Sequence, residues 1–251
     1  MLKPLTQRVA LVTGASSGIG EAIAVSLAQA GVKTVVAARR AERLAELVER
    51  IAASGGTAHA VPGDVTDENF ATSLVDDTVR DHGSIDILVN SAGMIQAGGI
   101  QDSDTAQWRQ TMDLNLFATL FTTRAAVPHM KAAGGGDIVQ ISSAGGRRAT
   151  SRFASYGASK YALNGMSWSL REEVGQSGIR VCVIEPGATT SEISEGMTDP
   201  QARDFMQQHV NKDGAMKGED IAAAVLCVVS LPHRANVQEL LIRPTIDVAP
   251  I

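Results

Sequence analysis

Short runs of β-branched and other apolar residues alternate along the chain with longer stretches in which apolar residues recur every three or four positions. The first pattern predicts strands and the second predicts helices. Strands are predicted over residues 9–13, 34–38, 58–61, 85–90, 138–142, 181–185 and 239–242. Most of these are continuous apolar runs, as expected of strands covered on both faces. Helices are predicted over 18–30, 41–53, 68–81, 105–131, 155–176 and 219–230, several of them opening on a hydroxyl residue suited to capping, such as Thr66 or Ser155. No repeat or linker interrupts the series. The pattern therefore predicts one doubly wound α/β domain over residues 1–251, of Rossmann type, with a seven-stranded parallel sheet and helices on both faces. The one long irregular insert, 188–218, is polar, contains methionines and lies between the last two strands, the place for a substrate lid.

Charge and composition narrow the function classes. The formal net charge is −5, which argues against a nucleic-acid partner. The longest purely apolar stretch, 221–229, is far shorter than the roughly 20 residues that span a bilayer. The run Met1-Leu2-Lys3-Pro4-Leu5 carries no apolar core of a signal peptide, so the expected location is the cytoplasm, away from membranes. Cys182 and Cys227 sit inside apolar runs, as reduced core thiols do. No pair among His59, His82, His129, His209 and His233 has metal-ligand spacing, and no catalytic metal is expected.

The first strand runs through Thr13-Gly14-Ala15-Ser16-Ser17-Gly18-Ile19-Gly20 directly into a helix. Glycines at this junction let the backbone turn tightly and approach a dinucleotide pyrophosphate, while the helix N-terminus attracts its charge. The same residues also match the G-x-S-x-G nucleophile elbow, which would make Ser16 a hydrolase nucleophile. That alternative needs several strands before the elbow, whereas here the motif follows the first strand. At the end of the second strand the chain reads Ala37-Ala38-Arg39-Arg40, with no acid before Glu42. An acid there would hydrogen-bond an unmodified ribose, whereas arginines accommodate a 2′-phosphate, so NADP is favoured over NAD. A solvated helix start would explain Arg39 and Arg40 as well.

In Tyr156-Gly157-Ala158-Ser159-Lys160 the i,i+4 spacing places the phenol and the ammonium on one helix face, roughly 6 Å apart. A neighbouring positive charge favours phenolate, which brings a group with an ordinary pKa near 10 closer to the range of acid–base work.

Taken with their order along the chain, these motifs resemble the short-chain dehydrogenase/reductase family from Val9 to about Thr245. Gly14, Gly18 and Gly20 match the family's cofactor turn, with Ser16, Ser17 and Ile19 between them. Asp64-Val65 match its adenine contact. Asn90-Ser91-Ala92-Gly93 match its Asn-Asn-Ala-Gly element, with Ser91 as a departure. Asn115 fits its helix asparagine. Ser143 fits its catalytic serine, with Ser142 as the neighbouring alternative. Pro186-Gly187-Ala188-Thr189 match its turn beside the nicotinamide, where Thr189 replaces the usual valine and Ser191 stands for a threonine. The C-terminal stretch Glu239-Leu240-Leu241-Ile242-Arg243-Pro244-Thr245, with Ile184-Glu185-Pro186-Gly187, resembles the NADP-dependent branch that includes serine 3-dehydrogenase and clavulanate dehydrogenase.

The resemblance implies hydride transfer between NADP(H) and a carbonyl or alcohol carbon. Tyr156 would be the acid–base residue, Ser143 would bind the substrate oxygen with it, and Lys160 would lower the phenol pKa and hold the nicotinamide ribose. Asn115 would hold a water in the proton path. It also implies a homotetramer joined through 105–131, 155–176 and C-terminal elements such as 246–251. Two substrate preferences stay open. Met94, Phe153, Met197, Phe205 and Met206 suggest an apolar wall, whereas Arg147, Arg148 and Arg152 suggest an anionic substrate. A rival of another class is a non-catalytic NADP sensor on the same fold.

Overall fold

The structure, a computed structural model, describes residues 4–211 and 213–249. Met1, Leu2 and Lys3 of the N-terminal run, Lys212 of the insert and residues 250–251 of the expected interface stretch lie outside the described residues. Among the described residues seven strands form one parallel sheet. They are β1 (Val9–Thr13), β2 (Lys33–Ala38), β3 (Ala58–Pro62), β4 (Ile87–Asn90), β5 (Gly136–Ile141), β6 (Ile179–Pro186) and β7 (Glu239–Ile242). Their spatial order is β3-β2-β1-β4-β5-β6-β7. The connecting helices are α1 (Gly18–Gln29), α2 (Ala41–Ala53), α3 (Glu68–His82), α4 (Thr105–Met112), α5 (Ala118–Ala132), α6 (Ala154–Val174), α7 (Pro200–Val210) and α8 (Gly218–Ser230).

Every residue of β1, β4, β5 and β6 is buried, which is why these runs are mostly apolar without alternation, with Asn90, Asp137, Gln140, Arg180 and Glu185 among the exceptions. Successive side chains still point to opposite faces. Ala10 and Val12 pack with Ile23 and Leu27 of α1, Leu44 of α2 and Ile221 and Val225 of α8. Leu11 between them packs with Leu74 of α3, Met130 of α5 and Val174 of α6 on the other side. At the N-terminal edge of the sheet, buried Asp137 is held by two arginines. Arg8 donates to it at 3.0 Å, and Arg180 donates at 2.5 and 2.9 Å. The strand order reverses between β1 and β4, so a crevice opens at their C-terminal ends, where Thr13 is paired with Asn90.

Several expectations are corrected. The stretch predicted as one helix over 105–131 is two helices separated by a π-helical turn at Asp113–Phe117. The insert 188–218 is not irregular throughout, because it contains α7, which opens with Pro200 and is capped by Asp199 through Gln201 N at 2.9 Å. The cap of α3 is Asp67, not Thr66, whose hydroxyl instead donates to Asp64 at 2.8 Å. Ser155 lies inside α6, which begins at Ala154. Cys182 is buried, and burial pushes its thiol up to about 12, as expected of a core thiol. Cys227 is exposed on α8 instead, on the face turned away from Ile221 and Val225.

Candidate active site

The crevice widens into a cavity of about 980 Å³, at the upper end of the range for small-molecule sites. Gly14 to Gly20 form one wall. Gly14 has a left-handed φ of +67°, and a Cβ there would lie 2.6 Å from Ala92 Cα. The approach is close because Thr13 Oγ1 accepts hydrogen bonds from Ser91 N at 3.2 Å and Ala92 N at 3.4 Å, drawing the two turns together. At Gly20 a Cβ would meet the Gly14 carbonyl oxygen at 2.4 Å. Two backbones meet there, and only glycine fits. Ser17 caps α1 by position but makes no side-chain cap hydrogen bond, so the positive end of the helix is left facing the cavity. The predicted cofactor residues Ser16, Ser17, Gly18, Ile19, Gly93, Pro186, Gly187 and Thr189 all line this space, with Ala92 among them.

Arg39, Arg40, Asp64, Val65 and Thr66 gather at one end. Arg40 is anchored to the turn itself. Its Nε donates to Ser16 Oγ at 3.1 Å and its Nη2 to Ser17 Oγ at 2.7 Å. Asp64 Oδ1 accepts from Thr66 N at 3.0 Å, which folds the turn after β3 against the cavity. Glu192 also belongs to this end, and no sequence motif marked it.

Ser143, Tyr156 and Lys160 meet at the floor near the other end. Ser142 and Ser143 follow β5, and their side chains diverge. Ser142 donates to Asn164 Oδ1 at 2.6 Å, away from the phenol. Ser143 Oγ accepts from Gly145 N at 3.0 Å and lies beside the Tyr156 ring, each 3.3 Å from where a Cβ on Gly145 would stand. Lys160 Nζ is buried one helical turn on, 5.7 Å from the Tyr156 ring centroid, and donates to the Ile141 carbonyl at 2.9 Å. Burial lowers its pKa from 10.5 to about 8. For Tyr156 burial dominates and pushes the phenol above its usual range, with the Ser143 hydrogen bond pulling the other way. The expected lowering of the phenol by Lys160 is therefore corrected, because the ammonium is turned to Ile141 and its charged form is itself disfavoured.

Two predicted residues stand behind the cavity wall. Asn90 is buried, donates to Thr123 Oγ1 at 3.1 Å and Gln140 Oε1 at 3.0 Å, and accepts from Thr122 Oγ1 at 2.7 Å. It ties β4 to α5 and β5. Asn115, in the π-helical turn, accepts from Met94 N at 2.8 Å and donates to Met94 O and Ser159 Oγ, each at 2.9 Å. Both amide protons are thus spent on protein, and the side chain positions the Met94 loop against α6.

Around the phenol, Ile95, Met197 and Ala202 form a buried cluster joined by Phe153, Ile193 and Met206. Met94 and Met206 line the cavity, as the apolar-wall expectation requires, but Phe205 is exposed and lies 4.2 Å under the Arg152 guanidinium. The anion-site expectation is corrected. Arg147, Arg148 and Arg152 do not line the cavity, and Arg147 is paired with buried Glu185 at 2.6 Å and with Glu239. The hydrolase alternative also falls, since Ser16 accepts from Arg40 while His233 lies against Gly135 and Gly178 at the opposite edge of the sheet. Among the described residues no group of three potential metal ligands occurs, and no helix is long and apolar enough to cross a membrane.

Comparison with known proteins agrees with this geometry. The sequence profile described as short chain dehydrogenase matches residues 8–202. An uncharacterized oxidoreductase of Staphylococcus saprophyticus subsp. saprophyticus is 37% identical over 241 residues, covering 96% of this chain and 98% of the relative. A metagenomic short-chain oxidoreductase solved in complex with NADP superposes with a TM-score of 0.83 at 32% identity, covering 97% of this chain and 100% of the other. A 7α-hydroxysteroid dehydrogenase solved with NADH and 7-oxo glycochenodeoxycholic acid gives a TM-score of 0.84 at 30% identity, covering 96% of each chain.

Proposed function

The chain is an oxidoreductase that belongs to the short chain dehydrogenase family, and from that premise we propose that it interconverts a carbonyl and a secondary alcohol using NADP(H), with Tyr156 as the acid–base residue. One observation carries the reading: Ser143, Tyr156 and buried Lys160 all line one cavity, with Ser143 Oγ and the Tyr156 ring each 3.3 Å from where a Cβ on Gly145 would stand. Two hydroxyls so placed can both point at one substrate oxygen.

The cavity fits a dinucleotide. The glycine turn leaves no side chain between α1 and the space it faces, and Arg39 and Arg40 supply guanidiniums suited to a 2′-phosphate where no carboxylate stands on β2. The likeness to an NADP-bound structure supports the same choice. When bound, the nicotinamide gives or takes the hydride. In the reductive direction the Tyr156 hydroxyl gives its proton to the carbonyl oxygen, and Ser143 donates to the same oxygen as negative charge develops. A phenol kept above its usual range is protonated at neutral pH, as a proton donor must be. Lys160, buried at the floor, would hold the cofactor ribose. Pro186, Gly187 and Thr189 would border the nicotinamide, and the segment 188–218 would cover an apolar substrate beside Met94, Ile95, Ile193 and Met206.

We place this activity in the cytoplasm and in a homotetramer. The oligomer is supported by exposed Tyr161 and Trp168 on α6, by Leu120 on α5 and by Phe117 just before it. The test is NADPH oxidation over a panel of aldehydes, ketones and keto acids, with NADH alongside. Turnover of neutral ketones with NADPH is expected, and Tyr156→Phe is expected to lose about 10²–10⁴-fold in kcat with NADPH binding retained. Binding of NADPH without turnover of any carbonyl would overturn the catalytic reading.

A further inference from the structure

The Arg40 end of the cavity holds an ion pair whose acid, Glu192, has no part in the reading above. Glu192, in the segment after β6, places one carboxylate oxygen 2.8 Å from Arg40 Nη1 and the other 3.6 Å from Arg43 Nη1. Arg40 above all, with the Ser17 hydroxyl and Arg43 beside it, holds the Glu192 carboxyl below the usual range. Arg40 is locked by its other nitrogens to Ser16 and Ser17 at the start of α1. Glu192, Arg40, Ser16 and Ser17 all line the cavity. A guanidinium and a hydroxyl converging on an anion beside a helix N-terminus is the chemistry that receives a phosphate monoester. Here the anion is supplied by the chain itself.

Resting on the NADP dependence proposed above, we propose that Glu192 is a specificity-determining residue, whose carboxylate occupies the Arg40 site that takes the adenosine 2′-phosphate. NADPH must then displace Glu192 from Arg40, whereas NADH, with an uncharged 2′-hydroxyl, need not. The exchange favours the phosphate, which carries −1.5 to −2 charges at neutral pH and three acceptor oxygens against one charge and two oxygens. A solvent-exposed pair is weak enough to be exchanged, and Arg43 stays beside the released carboxylate. Because Glu192 shares its segment with Ile193 and Gly196, which line the same cavity, the displacement also frees the start of that segment from the cofactor turn.

The test is calorimetric titration of the wild-type protein, Glu192→Gln and Glu192→Ala with NADPH, NADH, 2′-AMP and 5′-AMP. Both variants change a partly exposed side chain, and thermal melts check that they fold. Both are expected to bind NADPH and 2′-AMP about three- to tenfold more tightly, with NADH and 5′-AMP unchanged within about twofold. Equal changes for all four ligands, or no change for the two that carry a 2′-phosphate, would overturn the assignment while leaving NADP dependence in place. A wild-type protein that binds NADH more tightly than NADPH would remove the NADP reading, and this inference with it.

Discussion

At the scale of single residues, the buried ammonium of Lys160 trades stability for function. Its pKa falls from 10.5 to about 8 on folding, a difference of about 3 kcal/mol. Below pH 8 both folded and unfolded chains carry the proton, and the full cost of burying the charge is present. Between pH 8 and 10.5 the unfolded chain binds the proton and the folded chain does not, so stability rises with pH. Lys160→Met is therefore expected to stabilise the ligand-free protein at pH 7 by about 1–3 kcal/mol, less whatever the Ile141 carbonyl loses with its donor. Melting curves at pH 7 and 10.5 check this, with the advantage disappearing at the higher pH. Tyr156, Lys160 and the glycines were legible in the sequence because their chemistry depends on spacing within one turn or one helix. Glu192 was not, because Arg40 is 152 positions away and only the folded chain brings them together. The pKa direction of Tyr156 was misread for a related reason, since spacing shows which groups are neighbours but not how much water they lose.

At the scale of elements, the catalytic end is braced through β6. Glu185, wholly buried at its end, accepts from Arg147 at 2.6 Å and from Asn164 at 2.8 Å, and Asn164 in turn accepts from Ser142. Arg147→Met strands that carboxylate with one neutral partner. Equilibrium urea denaturation is expected to show a loss of about 2–4 kcal/mol, most of it recovered when Glu185→Gln is added. The strands were read to within two residues at each end, since buried parallel strands are mostly apolar, and β5 and β6 start two residues before the predicted runs, with Asp137 and Arg180 among those added residues. The 105–131 helix was not, because apolar spacing continues through the π-helical turn and only the Asn115 hydrogen bonds to Met94 mark the change. Arginines 147 and 152 lay in a plausible loop, but their partners, Glu185, Glu239 and Phe205, come from β6, β7 and α7.

At the scale of the whole molecule, the doubly wound topology followed from the alternation of elements. The proposed homotetramer would rest on surface the sequence alone does not expose. If the Phe117 and Leu120 face is covered by a second copy, Phe117→Asp combined with Leu120→Asp is expected to lower the mass in solution by half or more, measured by light scattering. The strand order has one more consequence, for synthesis on the ribosome. β1 is laid down first, yet one of its two neighbours is β4, which begins at Ile87. A nascent chain that ends before that point can pair β1 with β2, but leaves the other edge of a fully buried strand open to any chain nearby. A fragment ending at residue 86 should therefore aggregate, and the hazard closes only when the second half of the fold arrives.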